Sequence, residues 1–237
     1  MRIIPRLDIK NEFVIKGINF EGLRKVGKPA ELLEKYYNSG ADEIILIDAV
    51  ASLYGRNNLF HIIENATKNI FIPITVGGGI RNLNDIELAL KSGADKVAIN
   101  SYAIERPKFI SEAVKNFGSS TIVSYIEAKK KENKSWEAYR YFGREKTNLN
   151  AIEWIQKVQD LGCGEILLTS IDFEGLQKGF DLELLDSVIK IIKVPLIFSG
   201  GCGKKLDVEF IKKNYTNVSL SISSVLHYNK INLKNLI

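Results

Sequence analysis

Two carboxylic acids, Asp8 and Glu127, close short apolar runs 119 residues apart, and two glycine clusters close two further runs of the same kind. A pair of carboxyls facing across one pocket can act as general acid and base in a single reaction. The glycine clusters suit a different task. Gly77-Gly78-Gly79 follows the run 71–76, and Ser199-Gly200-Gly201 follows the run 194–198. Turns without side chains let backbone N–H groups approach phosphate oxygens, and the amino terminus of a following helix adds a favourable partial charge. Two such clusters point to a substrate with a phosphate at each end.

These residues recur at a fixed offset. Gly77 and Gly200 lie 123 residues apart, Glu43-Ile44-Ile45-Leu46 returns 122 residues later as Glu165-Ile166-Leu167-Leu168, and Ile99-Asn100-Ser101 returns as Ile222-Ser223-Ser224. An internal repeat of half the chain implies one closed, pseudo-symmetric domain over residues 1–237, with halves of about 1–119 and 120–237. β-Branched runs at 3–8, 43–48, 71–76, 96–100, 121–127, 165–170, 194–199 and 218–221 read as strands. Amphipathic segments at 29–38, 58–66, 83–91, 107–116, 150–161, 182–191 and 205–213 read as the helices between them. Eight strands without edge-protecting devices predict closure into a (β/α)₈ TIM barrel, with an open doubly wound sheet as the runner-up. The connections 9–28 and 129–147 are longer than closure requires and occupy equivalent places in the two halves. Long loops at the carboxyl ends of barrel strands are usually parts of an active site.

Composition narrows the classes. The 237 residues carry a formal charge of +5 with 45% apolar residues, enough for one sizeable core. The basic residues are scattered, with Lys129-Lys130-Lys131 the densest cluster, which fits anionic small molecules rather than nucleic acid. No apolar run approaches the roughly 20 residues of a membrane helix. Cys163 and Cys202 lack any framework spacing and read as buried thiols of a cytoplasmic protein. His61 and His227 have no second ligand nearby in sequence, so neither a metal site nor a cofactor is indicated.

Several runs in combination resemble the cyclase subunit of imidazole glycerol phosphate synthase: Leu7-Asp8-Ile9-Lys10, Val14-Ile15-Lys16-Gly17, Thr75-Val76-Gly77-Gly78-Gly79-Ile80, Gly93-Ala94-Asp95-Lys96-Val97, Gly164 to Ser170, and Ser199-Gly200-Gly201. The similarity covers nearly the whole chain. It implies an enzyme that takes a bisphosphorylated ribulosyl aminoimidazole carboxamide nucleotide and ammonia. The products are imidazole glycerol phosphate and an aminoimidazole carboxamide ribonucleotide, in histidine biosynthesis. It also implies a heterodimer with a glutaminase subunit whose ammonia passes through the barrel. Carried onto this chain, the resemblance makes Asp8 and Glu127 the catalytic pair and Lys16 the lysine of the first loop. Gly78, Gly79, Asn100 and Ser101 match one phosphate site; Thr169, Gly175, Gly200, Gly201 and Ser224 match the other. Arg2, Glu43, Lys96 and Glu165 match a charged ring gating ammonia entry, and Asp95 a contact to the glutaminase.

The chain departs from that pattern in ways that bear on mechanism. Glu127 stands where the family has aspartate, so its carboxyl reaches about one methylene further, a distance that matters for catalytic geometry. Strand alternation turns Arg6 inward with Arg2 and Asp8, and Tyr125 inward with Glu127. Arg6 is expected to pair with Asp8 or Glu127, or to project into the mouth, since an unpaired buried arginine is costly. Leu176 removes a hydroxyl from near the second phosphate site. These departures raise a second reading, a paralogue that works with a glutaminase to supply ammonia to a sugar amidotransferase in surface-glycan synthesis. A related isomerase barrel would leave the charged ring and Asp95 without a purpose. A residue at the mouth rather than in the core should tolerate Asp8→Asn without loss of folding.

Overall fold

The computed structural model describes residues 1–54, 59–66 and 68–237. Its strands are β1 (Ile3–Lys10), β2 (Phe13–Ile18), β3 (Glu21–Gly27), β4 (Ile44–Asp48), β5 (Ile74–Gly77), β6 (Lys96–Ile99), β7 (Ile122–Lys130), β8 (Trp136–Arg140), β9 (Glu145–Asn150), β10 (Glu165–Ser170), β11 (Leu196–Ser199) and β12 (Val218–Ile222). Eight of them pair in parallel in the order β1-β4-β5-β6-β7-β10-β11-β12, and β12 pairs back onto β1. The sheet therefore closes into the expected (β/α)₈ barrel, and β1 and β7, first and fifth of eight, stand on opposite walls.

Alternation along the strands sorts the core into two shells. Ile4, Ile45, Ile47, Ala98, Val123, Tyr125, Leu167 and Ile197 pack in the lumen. Residues of opposite parity, such as Ile3, Leu7, Leu46, Val97 and Leu168, pack outward against the helices. The helices start where side chains satisfy their free N–H groups. Asn82 accepts from Asp85 N ahead of Leu83–Lys91, Asn150 from Ile152 N and Glu153 N ahead of Ala151–Asp160, and Asp181 from Leu184 N ahead of Leu182–Ile189. Asn58, expected to open the helix seen at Leu59–Ala66, lies outside the described residues.

Two expectations change. The third barrel strand starts at Ile74 rather than at residue 71, because Pro73 has no N–H to give the ladder and Phe71 is 80% exposed. The long connections are not irregular loops. Each extends its barrel strand into a hairpin, β1 pairing antiparallel with β2 and β7 with β8, followed by β3 and β9. The next turn in each half, from β2 to β3 and from β8 to β9, carries a residue pair of positive φ, Asn19-Phe20 and Tyr141-Phe142, 122 residues apart. In the two-residue β2–β3 loop such a pair matches the right-handed twist of the strands it joins.

Candidate active site

Asp8 and Glu127 sit near the carboxyl ends of opposed strands β1 and β7, both almost wholly buried. Their surroundings differ. Asp8 Oδ1 accepts from Arg6 Nε at 2.7 Å and its Oδ2 lies 3.4 Å from Lys16 Nζ. The remaining nitrogens of the Arg6 guanidinium donate to Thr169 Oγ1 at 2.9 Å and Tyr125 Oη at 2.8 Å. Arg6 thus leaves β1, crosses the lumen and reaches β7 and β10, so the parity expected for Arg6 and Tyr125 holds and Asp8 is the partner. Burial works against both charges. The carboxylate beside it nonetheless holds Arg6 above its ordinary range, and Arg6 and then Lys16 hold Asp8 below its own.

Glu127 has no such cation. Its Oε2 accepts from Gly143 N at 2.8 Å, and its Oε1 is buried without a hydrogen-bond partner among the described residues. Burial pushes its pKa up to about 7, opposed by the Gly143 N–H, the Tyr125 hydroxyl and the nearby charge of Arg6. Lys16, on β2, is also buried, and burial brings its ammonium down to about 8 against the pull of Asp8. It is ion-paired with Glu174 as well.

The expected phosphate residues fall into two clefts flanking the pair. Gly78, Gly79, Asn100, Ser101 and Glu127 line a cavity of about 200 Å³, together with Asp48, Ser52, Tyr141 and Phe142. Gly175, Gly200, Gly201 and Ser224 line a much smaller cleft with Ser199, Ser221 and Ser223. Thr169 is not part of that cleft: its hydroxyl faces the lumen and holds Arg6. The glycines meet hard limits of space. A side chain at Gly78 (φ 93°) would lie 2.3 Å from Asp48 O, and one at Gly201 (φ 104°) 2.0 Å from Gly179 O.

At the opposite end of the barrel, Arg2, Glu43, Lys96 and Glu165 close into a ring. Arg2 Nη1 bonds Glu43 at 2.6 Å, Lys96 Nζ bonds Glu43 at 2.9 Å and Glu165 at 2.8 Å, and Arg2 also pairs with Glu165. Thr75 Oγ1 donates to Glu43 at 2.6 Å. Asp95 lies at the same end, exposed, with Oδ2 accepting from Ile74 N at 2.8 Å.

A carboxyl pair between two glycine-lined clefts, above a closed charged ring, is the arrangement the sequence motifs imply. The profile of the family described as "Histidine biosynthesis protein" matches residues 2–232. The chain belongs to this family. It is similar to "Imidazole glycerol phosphate synthase subunit HisF" of Legionella pneumophila, 52% identical over 204 residues covering 86% of this chain and 96% of that protein. The subunit of the same name from Clostridium botulinum (strain Okra / Type B1) is 44% identical over 235 residues, 98% of this chain and 92% of the relative. That from Prochlorococcus marinus (strain MIT 9215) is 43% identical over 236 residues, 99% and 92% respectively.

Sequence reading within this family misses the residues that the hairpins bring in. Phe20 and Phe142, both buried, pack with ring centroids 4.2 Å apart and planes tilted by 39°, joining the β2–β3 and β8–β9 turns. Asn19 anchors the first hairpin through Asn19 N to Glu174 O and Asn19 Nδ2 to Ile171 O, each 2.8 Å. The positions of Phe20 and Phe142, 122 residues apart, repeat the offset of the two halves and could have flagged the pair. Glu174 carries no such signal.

Proposed function

We propose that this protein is the cyclase subunit of an imidazole glycerol phosphate synthase. It uses ammonia to convert a bisphosphorylated ribulosyl aminoimidazole carboxamide nucleotide into imidazole glycerol phosphate and aminoimidazole carboxamide ribonucleotide, in histidine biosynthesis. The observation that carries the mechanism is the carboxyl pair on opposed strands, flanked by two glycine-lined clefts. One phosphate binds at Gly78, Gly79, Asn100 and Ser101, and the other at Gly175, Gly200, Gly201 and Ser224. The nucleotide then spans the mouth with its reacting centre between Asp8 and Glu127, which serve as the acid–base pair. Lys16 closes over the centre with the first hairpin, and the Phe20–Phe142 contact excludes water from it.

Ammonia enters from the far end. A glutaminase subunit docks there in a heterodimer, with Asp95 at the contact, and the Arg2, Glu43, Lys96 and Glu165 ring gates the path. Arg6 and Tyr125, bonded to each other across the lumen between ring and mouth, are the geometry that favours the surface-glycan reading, whereas the two glycine-lined clefts flanking the buried carboxyls favour the cyclase. The test is turnover of the nucleotide by the isolated chain in excess ammonium salt, which bypasses both partner and gate. Formation of imidazole glycerol phosphate supports the cyclase. A folded chain that returns the substrate unchanged overturns it.

A further inference from the structure

The two halves of the barrel place equivalent residues on equivalent strands, and two residues before each carboxyl they differ in charge. Asp8 and Glu127 correspond at an offset of 119 residues, and so do Arg6 and Tyr125, each two positions earlier on the same inward face. Only one half carries a cation there. We propose that Arg6 is a positioning residue that makes the two equivalent carboxyls unequal, fixing Asp8 as the permanently ionised member and leaving Glu127 as the member that carries and transfers the proton.

The geometry decides which carboxyl Arg6 serves. Its Nε bonds Asp8, while Thr169 and Tyr125 each take one terminal nitrogen and lock the guanidinium plane. The Tyr125 and Phe20 rings also pack within 5.1 and 5.5 Å of its central carbon. Arg6 makes no hydrogen bond to Glu127 and acts on it only through its charge, and Glu127 Oε1 lies beside the cavity without a hydrogen-bond partner among the described residues. An ionised carboxylate would be costly there, and a neutral carboxyl with a proton to give costs less. The other titratable groups around the pair do not reverse this. Lys16 on β2 sides with Asp8 and is shared with Glu174. His227, on the short helix Ser224–His227, is held neutral near pH 7, its pKa lowered by burial to about 3. Asp48, Glu105 and Tyr141 line the cavity on the Glu127 side and are not cations; Arg81, also in its lining, is ion-paired with Asp85. Burial keeps Tyr125 protonated. In each catalytic cycle the proton that Glu127 gives to the departing group is replaced by one taken from the attacking nitrogen, so the carboxyl ends as it began.

This inference rests on the cyclase reading for its catalytic meaning, but its physical content is tested without turnover. Carboxyl-¹³C Asp and Glu labels, assigned with Asp8→Asn and Glu127→Gln, give the titration of both groups in the ligand-free protein. The expected result is Asp8 still ionised at pH 4 and Glu127 titrating near neutrality. In Arg6→Gln the Asp8 midpoint rises by about 1–3 pH units, the range an adjacent opposite charge commands, while Arg6→Lys keeps most of the depression. Equal, ordinary midpoints in the wild-type chain overturn the proposal even if Arg6→Gln does not fold. So does an Asp8 midpoint unmoved in folded Arg6→Gln. The pH profile of kcat/KM with ammonium salt is then read: Arg6→Gln moves the acid limb upward, whereas a loss of packing alone lowers the profile without displacing it. A wild-type chain that shows the unequal titrations but no turnover would retire the cyclase reading and leave the role of Arg6 in place.

Discussion

At the scale of single residues, burial and the partner each carboxyl finds decide what it can do. Glu127 is protonated more readily in the folded chain than in the unfolded one, its pKa about 7 against the ordinary 4.5. The folded state therefore binds the extra proton between those values, and stability falls as pH rises through that window. Glu127→Gln removes the cost, and denaturant titration should find it more stable than wild type at pH 8 by up to about 3 kcal/mol, with little difference at pH 4. A stability difference independent of pH would contradict this account of Glu127. Asp8 behaves oppositely. Although it lies toward the mouth, it is buried beneath Arg6 and Lys16, so Asp8→Asn leaves two buried cations without their shared anion. Loss of turnover should come with destabilisation of about 3–5 kcal/mol, not with an unaffected fold. A thermal melt superimposable on wild type would refute that. Asp8, Glu127 and the inward parity of Arg6 and Tyr125 were legible in the sequence because strand alternation is a strict geometric rule. The choice of Asp8 over Glu127 as partner was not, since it depends on side-chain reach across the lumen.

At the scale of elements, the hairpins turn an open barrel mouth into a closed site. The first is held down by Asn19, by the Lys16–Glu174 ion pair and by close backbone contact: a side chain at Gly175 (φ 79°) would lie 2.2 Å from Gly17 O. Gly175→Ala must push the hairpin away. It should weaken binding of the nucleotide and raise protease cleavage within residues 11–28, read by limited proteolysis; an unchanged cleavage pattern would remove Gly175 as the contact point. Parallel strands and helices were readable from hydrophobic period and capping residues, and their observed bounds differ by few residues. The hairpins read as loops because Lys16, Gly17 and Arg24 or Lys129 to Lys134 break any clean alternation. Their pairing is set by extension of β1 and β7 beyond the barrel, a tertiary fact. Gly78 was assigned to phosphate approach alone, yet its contact with the Asp48 backbone shows that the turn after β5 needs glycine for packing first.

At the scale of the whole molecule, the barrel separates a charged ring at one end from a covered reaction mouth at the other, with the Arg6 side chain across the lumen between them. Glu43 is the ring's buried anchor, bonded by Arg2, Lys96 and Thr75. Glu43→Ala should cost about 3 kcal/mol by urea denaturation, because the cations it serves lose half their partners; a change below about 1 kcal/mol would show that solvent screens the ring. In a heterodimer the same change should alter glutamine-fed turnover while leaving ammonium-fed turnover of the folded fraction intact. Ammonia-dependent cyclisation between Asp8 and Glu127 is read by incubating the chain with ¹⁵N-ammonium and the bisphosphorylated ribulosyl nucleotide. The expected result is ¹⁵N in the imidazole ring of the product, lost in Glu127→Gln and in Asp8→Asn. An unlabelled or absent imidazole from the folded wild-type chain, or undiminished label from either variant, would contradict it.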